Sequence, residues 1–177
     1  MERNTIAYTE GYAAAMRALT THGLLLGSYD SRGRPNVMTI GWGTLGSVWG
    51  RPIWVVLVRP SRYTRAAIEE AGAFTVNVPS PDMAGVCEIC GTRSGRDAEK
   101  FALCRITPER ASSVHAPIVV ECPVVYECRV VHTNDVHAPA LAEDIRASAY
   151  RGGDFHRCFW GEVVAVRATA DAAERLR

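Results

Sequence analysis

Lysine is almost missing from this 177-residue chain: Lys100 is the only one, and arginine supplies every other basic residue. No apolar run approaches the roughly 20 residues that a membrane helix needs. The opening MERNTIAYTEGY lacks the apolar core of a signal peptide. Both absences lead to the expectation of a cytoplasmic protein without membrane association. With 20 basic residues against 19 acidic ones, the net charge is only +1, and nothing in that balance calls for nucleic acid as a partner. There is no GxGxxG after a strand, no P-loop, no GxSxG elbow and no HExxH, so no nucleotide, hydrolase or zinc-protease signature is present. The five histidines do not cluster, and His132 and His137 read as loop residues. Cys87 and Cys90 form a CxxC pair, but no second pair stands at zinc-site spacing. In a reducing compartment the six cysteines are expected to be buried structural thiols, with a redox or metal role as the alternative.

What is present fits one globular domain over residues 1–177. The chain is 47% hydrophobic and 22% charged, and long enough to bury a sizeable core. Helical patterns run over Thr9–Thr20, Arg62–Ala71, Asp82–Cys90 and from Asp97, its expected cap, to Ala102, with another helix starting at Pro139 and turning Leu141 and Ile145 inward. Strand patterns occupy Gly23–Tyr29, Val37–Ile40, Ile53–Val58, Ala73–Val78, Pro117–Val120, Val124–Val131 and Arg157–Arg167. In Ala73–Val78 the alternation puts Phe74, Val76 and Val78 on one face and Thr75 and Asn77 on the other. Asp30–Pro35 is hairpin turn chemistry, and the glycine-rich Gly43–Arg51 reads as a loop. Strands joined by hairpins and short helices predict a mainly β fold, an antiparallel β-barrel with peripheral helices.

The segment Asn36–Arg65 stands out. Six arginines and no acidic residue lie between Ser31 and Ile68, a local positive field suited to a phosphate. Arg59-Pro60-Ser61-Arg62 breaks a buried strand and offers Ser61 as a helix N-cap; helix starts at Arg62 and Asp97 would add free N–H groups to an anion. Polar groups gather at strand ends: Thr39 and Asn77, Ser61 with Arg62 and Tyr63, and Ser94-Gly95 ahead of Lys100. They make a binding kit for a polyhydroxylated phosphate ester and no nucleophile–base set, so the chemistry would come from a bound cofactor. Each has an ordinary alternative: Arg59 and Arg62 as solvated surface charge, Asn77 as a strand-end partner, Trp42 as core.

Five segments in register resemble the flavin reductase-like family, in particular its flavoredoxin branch: Asn36–Trp42, Arg59–Thr64, Phe74–Pro79, Ser94–Phe101 and Gly161–Val164. The resemblance spans about residues 10 to 168. It implies an FMN-binding split barrel that works as a homodimer, with the flavin near the subunit interface. It implies that Thr39, Ile40, Gly41 and Trp42 line the isoalloxazine and ribityl, and that Ser61, Arg62 and Tyr63 hold the phosphate with Arg59 close by. By the same resemblance Asn77 sits by the ribityl chain, Ser94, Gly95 and Lys100 close the site, and His156 approaches the flavin or nicotinamide. The expected activity is hydride transfer from NADH or NADPH to FMN with electrons passed on. The alternatives are a flavoredoxin-type electron carrier served by a protein donor or acceptor, and a thiol-metal protein on the same barrel.

Overall fold

β-Branched and aromatic runs separated by turn residues give ten strands and six α-helices over residues 2–177, the part of the chain that the computed structural model describes. β1 (Arg3–Thr5) precedes helix α1 (Tyr12–Thr21). Two hairpins follow, β2 (Leu24–Tyr29) with β3 (Pro35–Ile40), and β4 (Gly43–Val48) with β5 (Arg51–Val58). Helix α2 (Tyr63–Ala71) leads into β6 (Ala73–Val78). Helices α3 (Ala84–Thr92) and α4 (Lys100–Cys104) then cover one side, followed by the small hairpin of β7 (Pro108–Arg110) and β8 (Pro117–Val119). The long strands β9 (Val124–Asp135) and β10 (Arg157–Thr169) flank helix α5 (Glu143–Ala149), and α6 (Ala172–Arg175) closes the chain.

The main sheet is antiparallel in the order β3-β2-β6-β9-β10-β5-β4, with β1 also paired to β10. Its two end strands, β3 and β4, are not hydrogen-bonded to each other, although only Gly41 and Trp42 separate them in the chain. The sheet is therefore a barrel left open along one seam, as the mainly β expectation with peripheral helices requires. Phe74, Val76 and Val78 of β6 point into its core with Leu24, Leu26, Trp54, Val56, Tyr126 and Phe159. Irregularities in the β9–β10 register at Trp160/Gly161 and Val163/Ala165 bend the longest pair. Gly161 is required there, since a Cβ would overlap the Phe74 ring and stand 2.8 Å from Cys128 Cβ.

Five expectations change. His132 is not a loop residue but belongs to the long strand β9, opposite Trp160. Gly43–Arg51 is a strand and a tight turn, not a loop: Trp49 and Gly50 both take positive φ, 55° and 69°, as a two-residue hairpin demands. The helix expected from Asp97 begins at Lys100 with Glu99 at its N-cap, because the Ser94 carbonyl takes the Asp97 and Ala98 N–H groups into a separate turn. After Pro139 there is a single 3-10 turn, and α5 begins only at Glu143, with Ile145 exposed instead of inward. Ser61 is not a cap: Arg62 occupies the N-cap of α2, and no side chain there bonds to the helix.

Candidate functional site

The seam between β3 and β4 opens onto two contiguous hollows that share Met38 and Arg62. One, of about 170 Å³, is lined by Thr39, Ile40, Gly41, Trp42, Arg59 and His156 among others. The other, of about 240 Å³, is lined by Ser61, Tyr63, Ser94, Gly95 and Lys100 together with Cys90, Arg93 and Arg96. Neither alone reaches the roughly 300 Å³ at the lower end of ligand pockets; joined, they do. The barrel order thus gathers residues from β3, the turn after β5, the loop between α3 and α4, and the start of β10.

The first hollow has an aromatic wall. Trp42 is 43% exposed, so it is not a core residue; its ring lies 4.8 Å from that of His156 and 6.0 Å from that of Tyr150. Ile40 is only 2% exposed, which leaves mainly its backbone to face the hollow. The Thr39 hydroxyl donates to the Cys87 carbonyl and ties β3 to α3. His156 shares a 2.8 Å hydrogen bond with the Tyr150 hydroxyl through Nδ1. Burial, with the nearby Arg59 charge, lowers the His156 pKa to about 4, so the imidazole is neutral at physiological pH.

Arg59 does not reach into the second hollow. Its guanidinium donates to the carbonyls of Ala149, at 2.9 Å, and Asp154, at 3.1 Å. It also lies 5.9 Å and 5.3 Å from the centroids of the Trp42 and Tyr150 rings. Arg59 is thus a clamp on the loop from α5 to β10. Ser61 is held by the end of the same loop: its N–H and hydroxyl donate to the Asp154 carboxylate at 3.2 and 2.6 Å. Partial burial pushes the Asp154 carboxyl up, but these two bonds and the Arg59 charge outweigh it and keep the pKa below its ordinary value. A fixed pair of donors on an anion is the defining feature of this end of the site.

Four cations line that end, Arg62, Arg93, Arg96 and Lys100, and none has a carboxylate partner among the described residues. Arg62 makes only a 3.5 Å contact with the Gly91 carbonyl. Lys100 is 5% exposed and donates to the Cys90 and Arg93 carbonyls at 3.4 and 3.3 Å. Burial lowers its pKa, and the Arg62 charge adds to that. Arg96 donates to the Ser61 carbonyl at 3.1 Å and lies over the Tyr63 ring, while the Tyr63 hydroxyl is fixed by Asp30 at 2.9 Å. Gly95 allows this packing, since a Cβ would come within 2.5 Å of Asn36 Oδ1 and 2.7 Å of the Tyr63 ring.

Of the thirteen residues singled out in the sequence, Asn77 alone lines neither hollow. It is fully buried between strands, donating to the Leu25 carbonyl and Thr75 Oγ1 and accepting the Val119 N–H. It ties β8 to the barrel, which is the ordinary alternative for a polar residue in a strand. Cys90, Arg93, Arg96, Tyr150 and Asp154 join the site without having been anticipated; only the arginine- and glycine-rich character of their loops hinted at them. Two of the other hollows are less suited to an anion. One of about 160 Å³ behind Tyr63 sets Asp30, Asp97 and Glu99 against Arg34, Arg96 and Lys100, so its charges largely cancel. One of about 490 Å³ between α1, β10 and α6 is walled largely by alanines with Ile6, Val124 and Leu176.

Comparison with known proteins adds four findings. The family described as "Flavin reductase like domain" matches residues 16–176. The flavoredoxin of Desulfovibrio vulgaris (Miyazaki F) is 28% identical and superposes with a TM-score of 0.68 over 84% of this chain and 70% of that one. An FMN-binding domain of a flavin reductases-like enzyme from Shewanella baltica OS155, 23% identical, superposes with a TM-score of 0.65 over 94% of this chain and 77% of that one, and so supports the fold. Among curated proteins, an uncharacterized protein of Archaeoglobus fulgidus is 34% identical over 89 residues, 50% of this chain and 50% of that protein.

Proposed function

The chain belongs to the flavin reductase-like family, and on that premise we propose that it binds FMN along the β3–β4 seam, takes a hydride from NADH or NADPH and passes the electrons on. The observation that carries this reading is the anion seat beside an aromatic-walled trough. Ser61 N–H and Oγ converge on a carboxylate, which stands in for the oxygens of a phosphate, with the unpaired Arg62 and Lys100 alongside. The residues present therefore fit the group. FMN supplies the redox chemistry when bound, as a hydride acceptor that can release electrons singly or in pairs.

The chain's own residues bind, orient and shield. The backbone of Thr39–Trp42 offers hydrogen-bonding groups along the seam, where no neighbouring strand uses them. Ser61, Arg62 and Lys100 take the phosphate, and the first-turn N–H groups of α2, at Tyr63 and Thr64, add to the field. Trp42 and His156 keep water from one side of the trough. A neutral His156 can present a polar edge to a nicotinamide without adding a charge. Hydride transfer requires alignment and no protein base, so the site's part is to bind and orient. We further propose a homodimer in a cytoplasmic setting, with the flavin close to the interface.

The similarity to a flavoredoxin favours a second reading, an electron carrier that binds FMN but draws on a protein donor instead of a nicotinamide. One experiment separates them. The protein is reconstituted with FMN under anaerobic conditions, and its visible spectrum is followed after NADPH and then NADH. Rapid bleaching of bound flavin is the expected result and identifies the coenzyme. A bound flavin that stays yellow moves the assignment to the carrier, and absence of bound flavin overturns both.

A further inference from the structure

Six cysteines are free thiols, and four of them gather next to the anion seat. Cys87 and Cys90 lie one turn apart on α3 and are buried in an apolar cluster with Cys122, while Cys104, at the end of α4, packs against that cluster and is half-buried. The sequence draws attention to the CxxC pair, but the sulfur that meets Cys90 belongs to Cys104, 3.9 Å away and 14 residues along the chain. Among the described residues no group of three His, Cys, Asp or Glu side chains converges as a metal site would require. A disulfide needs an S–S distance of about 2.05 Å, and the two sulfurs must close by roughly 2 Å to make one.

We propose that Cys90 and Cys104 are a redox-active dithiol that closes an internal disulfide, with a low-molecular-weight disulfide as oxidant. The more accessible thiol acts first. Cys104, as its thiolate, attacks one sulfur of R–S–S–R; that bond breaks and R–S⁻ leaves and takes up a proton. Cys90 then gives its proton to solvent and attacks the Cys104 sulfur of the mixed disulfide, expelling the second R–S⁻, which is protonated in turn. Two cysteines lose two hydrogens between them, and one disulfide becomes two thiols. Lys100 lies close enough to favour the Cys90 thiolate, but burial and the neighbouring Cys104 dominate and raise the Cys90 pKa to about 12. Deprotonation of Cys90 therefore opposes ring closure, which accelerates with pH.

The bond would join α3 to α4 and enclose the loop that carries Arg93, Ser94, Gly95 and Arg96, with Lys100 inside the ring. Oxidation would thus fix one wall of the second hollow. That consequence for a flavin rests on the function proposed above; the thiol chemistry does not.

The test uses the full chain, purified under reductant and moved without it into glutathione disulfide at pH 8. Free thiols are counted after unfolding, and peptides are mapped by mass. The expected result is a loss of two thiols and a linked peptide joining Cys90 to Cys104, both reversed by dithiothreitol. In Cys87→Ser the link should persist. In Cys90→Ser, a glutathione adduct should remain trapped on Cys104. Six unchanged thiols, a Cys87–Cys90 link, or a persistent glutathione adduct on the unaltered chain would each overturn the proposal. The mapping on the unaltered chain decides the matter even if a variant fails to fold.

Discussion

Asp154 holds a position that a negatively charged ligand would contest. It sits at a φ of 55°, a left-handed conformation that Asp and Asn tolerate better than most residues, and takes both donors of Ser61. Asp154→Asn keeps the shape and the backbone preference but removes the charge, so FMN affinity should rise several-fold in a fluorescence-quenching titration; weaker binding would show that the carboxylate supports the seat. Arg62→Ala should act oppositely, by about 10-fold or more if a charge-assisted bond contributes roughly 1.5–3 kcal/mol, and unchanged affinity would sink that assignment. His156 adds a pH dependence. Its folded pKa of about 4 lies below its ordinary 6.5, so between those values the unfolded chain binds more protons and stability falls as pH falls. Denaturation of His156→Gln across that window should give a flatter profile than the unaltered chain. At this scale the sequence was legible where site residues come in contiguous runs, as in Thr39–Trp42 or Ser61–Tyr63. Asp154 was not, because its role depends on a contact across 93 residues.

The loop between α5 and β10 depends on one side chain from another element. Arg59 spans carbonyls at Ala149 and Asp154, a reach that the point-like ammonium of lysine cannot reproduce. Arg59→Ala should cost about 1–3 kcal/mol in chemical denaturation and speed tryptic cleavage at Arg151, with Arg59→Lys rescuing little; equal cleavage rates would mean that the loop holds itself. The arginine-rich stretch also shows how charge in sequence differs from charge in space. Arg34 meets Asp30 and Glu99, Arg51 meets Glu162, and Arg65 meets Glu69, so folding neutralises much of a field that looked continuous. Arg32, Arg59 and Arg62 keep no carboxylate partner among the described residues, and of these only Arg62 lines the second hollow. The β4 strand was misread for a related reason. Its glycines suggest a loop, yet Gly43 is there because a Cβ would stand 2.8 Å from the Val55 carbonyl across the hairpin. Asn77 illustrates the converse: alternation gave its face correctly, but nothing local distinguished a strand tie from a ligand contact.

For the whole molecule, self-association is the open expectation with the clearest handle. Trp49 is 62% exposed at the β4–β5 turn and packs its ring 5.7 Å from Trp160 and 6.1 Å from His132. Such an exposed aromatic group is costly to leave in water and suits an interface. Sedimentation equilibrium at tens of micromolar should give a dimer, and Trp49→Ser should shift it toward monomer; a monomeric unaltered chain would remove the homodimer from the account. The open seam has a consequence of its own. A closed barrel has no free strand edge, whereas here β3 and β4 end the sheet on either side of Gly41-Trp42, and their outer amides lack partners in the sheet. A ligand lodged there would act as a missing rung, so its main thermodynamic mark should be local. Amides from Met38 to Leu45 should exchange with deuterium markedly more slowly when the seam is filled, with much smaller changes in the Val124–Asp135 strand on the far side of the sheet order.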